Sequence, residues 1–444
     1  MERLTCTQRP NYVPLVQSQG LVYTHDTDPS DPLHMYWREG VHYSFKSDEI
    51  QAMEAATAAV FDMCIEAGDW MVALEQRAYL QRLKIPVFAL KQVIETWNQE
   101  PAYGSVYGRF DLRFGGFNHL DPSMRVPKFY EFNADTPTSL VESAVIQWNW
   151  LEQTGEGRDQ WNSITEGLAA AWKRNLELIE RKLGHRPVVH FAASDAQTAG
   201  EDEMNVILML DTCRAAGYEA KTIYIENIVL GDDGRFYDEQ GSHIDVIFKL
   251  YPWEHLVHDE FGRAVFADMD NIGAHDEHGN YTGGTIWIEP PYKMLWSNKA
   301  IMAVLWKLFA DDPRGKYLIP TWFEDEAPTS KKGYARKPLL SREGADITLL
   351  NPDGSVLDEY KRDEYGEEGF VLQELTLPPV YPTADGKQVS VVIGSWVIDG
   401  EPAGIGIRES YGPITDDFAN FVPHSISDGP LMYARQPIPA LQSA

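Results

Sequence analysis

The sequence predicts an α/β protein with α+β lobes, and three observations predict it. At 444 residues and 43% hydrophobic content, the chain exceeds the usual single-domain size and holds enough apolar material for two or three closely joined lobes. Strand and helix patterns alternate through residues 183–290, a Rossmann-like section. Period-two runs crowd the last third, which reads as β-rich.

Residues 1–46, rich in Pro, Asp, His and aromatics, predict a wrap around a larger body. Ser47-Asp48-Glu49-Ile50 has the form of a helix start before an Ala-rich run, and helices follow to about residue 97. Residues 103–134 read as a β-hairpin turning through Phe114-Gly115-Gly116-Phe117-Asn118-His119, and Thr138 to Glu142 leads into an aromatic-rich helix. A helix over 161–182 closes this first region, 1–182.

In the second region, 183–290, Pro187–Phe191 reads as a buried strand, 201–216 as a helix, and Thr222–Ile225 and Ile244–Phe248 as further strands. It lacks GxGxxG, and we assign it no nucleotide site of its own. The third region, 291–423, opens with a helix at Ser297-Asn298-Lys299 and passes through a polar connector near 311–330. Strands follow over Ala335–Leu339, Phe370–Leu375, Val389–Val397 and Ala403–Arg408, with Pro338 placing the first at an edge or an irregularity. Residues 424–444, with Pro430, Pro437 and Pro439, lack periodicity and read as a tail.

With 38 Lys and Arg against 67 Asp and Glu, the formal charge is −29. That disfavours a nucleic-acid surface or an anionic-membrane surface, while a local basic pocket for ATP stays open. The acidic surface points toward cationic or neutral partners such as an amine. The start of the chain has no signal-peptide pattern and no run is long enough to cross a bilayer, so the expected location is cytoplasmic. Cys6, Cys64 and Cys213 show no metal-ligand spacing and read as reduced structural cysteines.

The chemistry concentrates in Tyr107-Gly108-Arg109-Phe110-Asp111 and Phe129-Tyr130-Glu131-Phe132-Asn133-Ala134-Asp135. In strands, Arg109 shares a face with Asp111, and Glu131 with Asn133 and Asp135. Two carboxylates, an amide oxygen and a guanidinium suit a magnesium-bridged phosphate; a solvated sheet face is the alternative. Lys337, followed by the glycine-containing turn Ser341-Arg342-Glu343-Gly344, suits phosphate oxygens or else decorates a surface hairpin. Lys299 near a helix start, and Arg408 after a glycine-rich run, are further phosphate or carboxylate contacts, or ordinary solvated charges. Gln373-Glu374 after an apolar pair suits adenine and ribose, and Thr136 and Thr138 stand where an acceptor pocket would form.

These stretches, with FKLYPWE, WIEPPYKMLWSNKA, RKPLLSREGADI and VIGSWVIDGEPAGIGIRES, closely resemble the glutathionylspermidine synthase-like family of acid–amine ligases. The resemblance spans almost the whole chain. It implies a circularly permuted ATP-grasp-like architecture, with residues 183–290 as a pre-ATP-grasp section and 291–423 as the nucleotide-binding lobe returning to the core. It implies Asp111, Glu131 and Asn133 as Mg2+ ligands, Arg109 and Arg408 beside the transferring phosphoryl group, and Lys299 and Lys337 on ATP. Ser341, Arg342 and Gly344 would close over phosphates, Gln373 and Glu374 would lie near adenine, and Thr136 and Thr138 would shape the substrate pocket. The family's separate Cys/His amidase segment has no counterpart in the sequence.

The expected activity is therefore ATP-dependent joining of a small carboxylate, of peptide or amino-acid type, to an amine through an acyl phosphate. A catalytically weak ATP-binding regulator or scaffold is the alternative, and a metal-dependent phosphohydrolase a third reading that leaves the distant lysines without a common job.

Overall fold

The computed structural model describes residues 1–22, 36–99, 104–195 and 200–431. Pro437 and Pro439 of the expected tail, and residue 103 of the expected hairpin, lie outside the described residues.

A six-stranded sheet forms the centre. Its strands β1 (Tyr107–Arg113) and β2 (Lys128–Asn133) are the expected hairpin. In a second sheet lie β3 (Tyr334–Pro338) and β4 (Phe370–Glu374), and the chain then returns to the first through β5 (Gln388–Ile398) and β6 (Glu401–Ser410). The order across the central sheet is Asn420–Val422, β6, β5, β1, β2, with Val380–Pro382 also pairing with β5. Every residue of β1 is buried, as expected for a strand inside a sheet covered on both faces.

The 26-residue helix Ser47–Val72 packs beneath this sheet and beside the helix Ala300–Phe309, and their apolar faces join one large core. The latter helix starts three residues later than Ser297, and the Asn298 side chain accepts the N–H of its first residue, Ala300, at 2.9 Å. A four-stranded parallel sheet runs Ile286–Ile288, Val246–Lys249, Val189–Ala193, Ala220–Tyr224. The helices Ile164–Leu183 and Glu201–Ala215 share its core, so the alternating pattern of the second region is realised as a parallel α/β layer.

The second sheet is antiparallel in the order Thr321–Phe323, β4, β3, Ile347–Leu350, Val356–Tyr360. Here β3 is interior, so of the two readings of Pro338, an edge or a local irregularity, the edge is corrected. Pro338 lies beyond the last pair with Ile347–Leu350 and faces only Phe370, so its missing N–H breaks no ladder on that side. The expected tail is also corrected at its start. His424–Ile426 forms a strand parallel to Val41–Phe45, which pairs in turn with Glu2–Thr5, because both ends of the chain complete one small sheet.

Candidate active site

β1 and β2 pair with Arg109 opposite Asn133 and Asp111 opposite Glu131. The register then shifts, so that Leu112 faces Phe129 and Tyr130 is the extra residue of a bulge. Strict alternation would turn Tyr130 away from Glu131. The bulge instead brings both into the wall of one cavity of about 130 Å³, together with Arg109, Asp111 and Asn133. Asp135 is absent from this wall but lines a small adjoining cavity with Glu131 and Asn133, where its carboxylate takes Lys249 Nζ at 2.9 Å and the Trp253 N–H at 2.7 Å.

Cations arrive from four separate segments. Arg109 Nε donates to Asp111 Oδ1 at 3.1 Å and its Nη1 to the Thr138 carbonyl at 2.5 Å. Arg408, on β6, donates to Asp111 Oδ2 at 2.5 Å. Lys299 Nζ lies 3.3 Å from Glu131 Oε2 and also donates to the Ser341 carbonyl. Lys337 on β3 reaches the Tyr130 carbonyl at 3.3 Å. Lys337 and Arg408 line the main cavity, whereas Lys299 and Ser341 line a small adjoining one that shares Glu131, Asn133, Thr136 and Arg342.

Arg109, Arg408, Lys299 and Lys337 thus surround Asp111 and Glu131, and the wall of the main cavity adds Arg342 and Glu343. The imbalance shows in the acid–base chemistry. Burial pushes Glu131 up, but Lys299, Lys337 and Arg408 outweigh it and hold the carboxyl down at about 2. Burial, joined by the like charge of Lys299, lowers Lys337 to about 8 against the pull of Glu131. Burial and Arg408 likewise lower Arg109. A cavity with surplus buried positive charge is suited to an anion.

The loop from Ser341 to Gly344 lies over this cavity. Arg342 donates to Thr136 Oγ1 at 2.7 Å, to the Thr136 carbonyl at 3.0 Å, and to Glu254 at 3.2 Å. Gly344 has φ +73°, and a Cβ there would meet the Thr415 carbonyl at 2.6 Å, so close backbone approach requires glycine. Thr136 and Thr138 line the same wall as Arg109. Gln373 points inward, with its amide 3.4 Å from the Tyr130 carbonyl. Glu374, the next residue on β4, points outward to Lys332 at 2.6 Å and is not in the cavity wall. Beside Gln373 the wall is apolar: Ala335, Ile347, Leu349, Leu375 and Val392.

Tyr130, Arg113 and that apolar wall escaped the sequence reading. Tyr130 Oη donates to the Thr376 carbonyl at 2.7 Å and Arg113 Nε to the Leu377 carbonyl at 2.8 Å, so both tie the segment leaving β4 to the hairpin. The signal for Tyr130 is the bulge, which no periodicity reveals.

Among the described residues no three His, Cys, Asp or Glu side chains gather as a metal cluster. Asp111, Glu131 and Asn133 form a smaller oxygen-bearing set, and the Asn133 amide nitrogen is buried without a hydrogen-bond partner. No described helix is long and apolar enough to cross a membrane.

Residues 3–427 match the family model described as "Glutathionylspermidine synthase preATP-grasp". A "Putative acid--amine ligase" of Haemophilus influenzae is 35% identical over 439 residues, covering 96% of this chain and 99% of that protein. A trypanothione synthetase of Crithidia fasciculata is 26% identical over 362 residues, covering 80% of this chain and 52% of that longer protein. Among solved structures, a glutathione synthetase-like effector from Globodera pallida superposes with a TM-score of 0.51 at 11% identity, covering 94% of this chain and 98% of that one. The last likeness concerns the fold alone.

Proposed function

The chain belongs to the glutathionylspermidine synthase preATP-grasp family, and from that membership we propose that it is an ATP-dependent ligase joining a small carboxylate to an amine. The observation that carries the reading is the convergence of Arg109, Arg408, Lys299 and Lys337 on a cavity that also has an apolar slot beside Gln373. The slot accepts a purine, with the Gln373 amide at its polar edge, while the cations take the triphosphate. Arg109 and Arg408, forked and held by Asp111, meet charge developing on the γ-phosphoryl group as it passes to the substrate carboxylate.

Asp111, Glu131 and the Asn133 side chain would hold magnesium. Two carboxylates and one amide suit an ion that takes its remaining ligands from phosphate and water. Held by these side chains, it would supply charge neutralisation to a bound phosphate chain. Thr136 and Thr138 place the acid beside Arg109, and the Ser341–Gly344 loop excludes water, which would otherwise hydrolyse the acyl phosphate before the amine attacks. Attack forms the amide and releases phosphate.

The test is a screen of acid–amine pairs with MgATP, with mass detection of condensed products. Amide formed in step with ADP supports the reading. Nucleotide binding without product across suitable pairs rejects it in favour of a regulator or scaffold.

A further inference from the structure

Two buried side chains hold one end of the site hairpin without lining either cavity. Lys293 is 1% exposed and Glu289 fully buried. Lys293 Nζ donates to the Tyr107 carbonyl at 2.9 Å and the Ala134 carbonyl at 2.7 Å, and lies 3.1 Å from Glu289 Oε2. Glu289 Oε1 in turn accepts the Val106 N–H at 2.9 Å and the Tyr107 N–H at 3.2 Å. Tyr107 stands two residues before Arg109 on β1, and Ala134 directly follows Asn133 on β2. The pair therefore grips both strands at the end where Arg109 faces Asn133.

An ammonium has three donors, and Lys293 meets one acceptor from each strand plus a counter-charge. A packing role needs no such set, since a methionine fills comparable volume without the desolvation of two buried charges. We propose that Lys293 and Glu289 are positioning residues, a clamp that sets the spacing of β1 and β2 and thereby the reach of Arg109 and Asn133 into the site. The catalytic part of this inference rests on the ligase reading. Lys337 and Gln373 stand on the other sheet and meet the hairpin at the Tyr130 carbonyl, three residues from the clamped end of β2, so phosphoryl-transfer geometry should depend on the pair more than nucleotide affinity does.

The experiment compares the full chain with Lys293→Met and with the double variant Lys293→Met/Glu289→Gln, which leaves no unpaired buried charge. Hydrogen exchange is read over 104–113 and 128–135 against 334–338 and 370–374. Binding of a non-hydrolysable ATP analogue and steady-state turnover on an accepted acid–amine pair accompany it. Expected are faster exchange confined to β1 and β2, analogue affinity within about twofold, and kcat lower by about 100-fold at nearly constant KM for ATP. Exchange and kcat unchanged in a folded variant, exchange raised equally in both sheets, or failure of both variants to fold would each overturn the clamp. Absence of turnover in the unaltered protein would count against the ligase reading instead, and the exchange pattern would still decide the clamp.

Discussion

Arg408 reaches past β5 to Asp111 on β1, placing its guanidinium 2.5 Å from Asp111 Oδ2 although 297 positions separate the two. Asp111 holds Arg109 with its other oxygen, so one carboxylate orients both arginines. Arg408→Ala is expected to lower kcat by about 100-fold or more, the usual cost of losing a donor aimed at developing charge. Arg408→Lys should recover only part of it, since a lysine cannot fork. Steady-state rates of ADP release check both.

Asp111→Ala and Glu131→Ala each remove a carboxylate proposed to hold magnesium. Product formation should fall by about 100-fold or more, and the magnesium concentration giving half-maximal rate should rise, with circular dichroism unchanged. Magnesium titration of ADP-linked turnover is the check, and turnover equal to that of the unaltered protein rejects the metal role.

Lys337 carries a cost for the unliganded fold. Its folded value of about 8 lies below the ordinary 10.5, so the unfolded chain binds the extra proton between these two values and stability rises with pH across that window. Lys337→Met should therefore be the more stable protein at pH 7, by about 2–3 kcal/mol, with the difference shrinking as pH climbs past 8. If Lys337 meets the nucleotide as proposed, affinity should fall above pH 8, about tenfold by pH 9, and Lys337→Arg should flatten that dependence. Calorimetric melting and analogue titrations at several pH values test the pair of effects.

Gly394 on β5 faces Asp111 across the ladder, and a Cβ there would meet Arg109 Cδ at 2.7 Å. Gly394→Ala leaves the strand intact but displaces Arg109 from Asp111 and the Thr138 carbonyl. We expect kcat to drop at least tenfold with a loss of stability of only about 1–2 kcal/mol. An unchanged rate would show that Arg109 accommodates the methyl group.

His424 is buried, donating from Nδ1 to Gln147 Oε1 at 2.8 Å, and burial with the neighbouring His42 lowers it to about 3. The unfolded histidine, at about 6.5, binds the proton first, so stability contributed by the neutral ring is present above 6.5 and lost progressively down toward pH 3. At pH 5 the loss is about 2 kcal/mol. His424→Gln should flatten the acid limb of a melting-temperature profile, whatever it costs near neutrality.

The hairpin was legible because Arg109, Asp111, Glu131 and Asn133 lie at the spacing of one strand face, and the structure keeps them together. Asp135 lies past the end of the strand yet still lines the adjoining cavity with Glu131 and Asn133, its charge already matched by buried Lys249. At Glu374 alternation holds, and it turns this carboxylate away from the wall that Gln373 lines, toward Lys332. Tyr130 was hidden by the opposite cause: a bulge placed two successive residues on one wall. Pro338 misled because a proline at the end of an interior strand looks, in one dimension, like a proline on an edge.

By itself the sequence determined which segments alternate, which side chains are of types that suit phosphate or a hard cation, and which family they resemble, since residue chemistry and strand or helix periodicity are local properties. Tertiary structure alone decided that β5 and β6 close against β1, so that Arg408 meets Asp111, and that the Lys299 helix and β3 bring two more cations to Glu131. Those meetings join residues hundreds of positions apart. They exist because each strand must satisfy its backbone hydrogen bonds and bury its apolar face against a distant partner, and no local pattern names that partner.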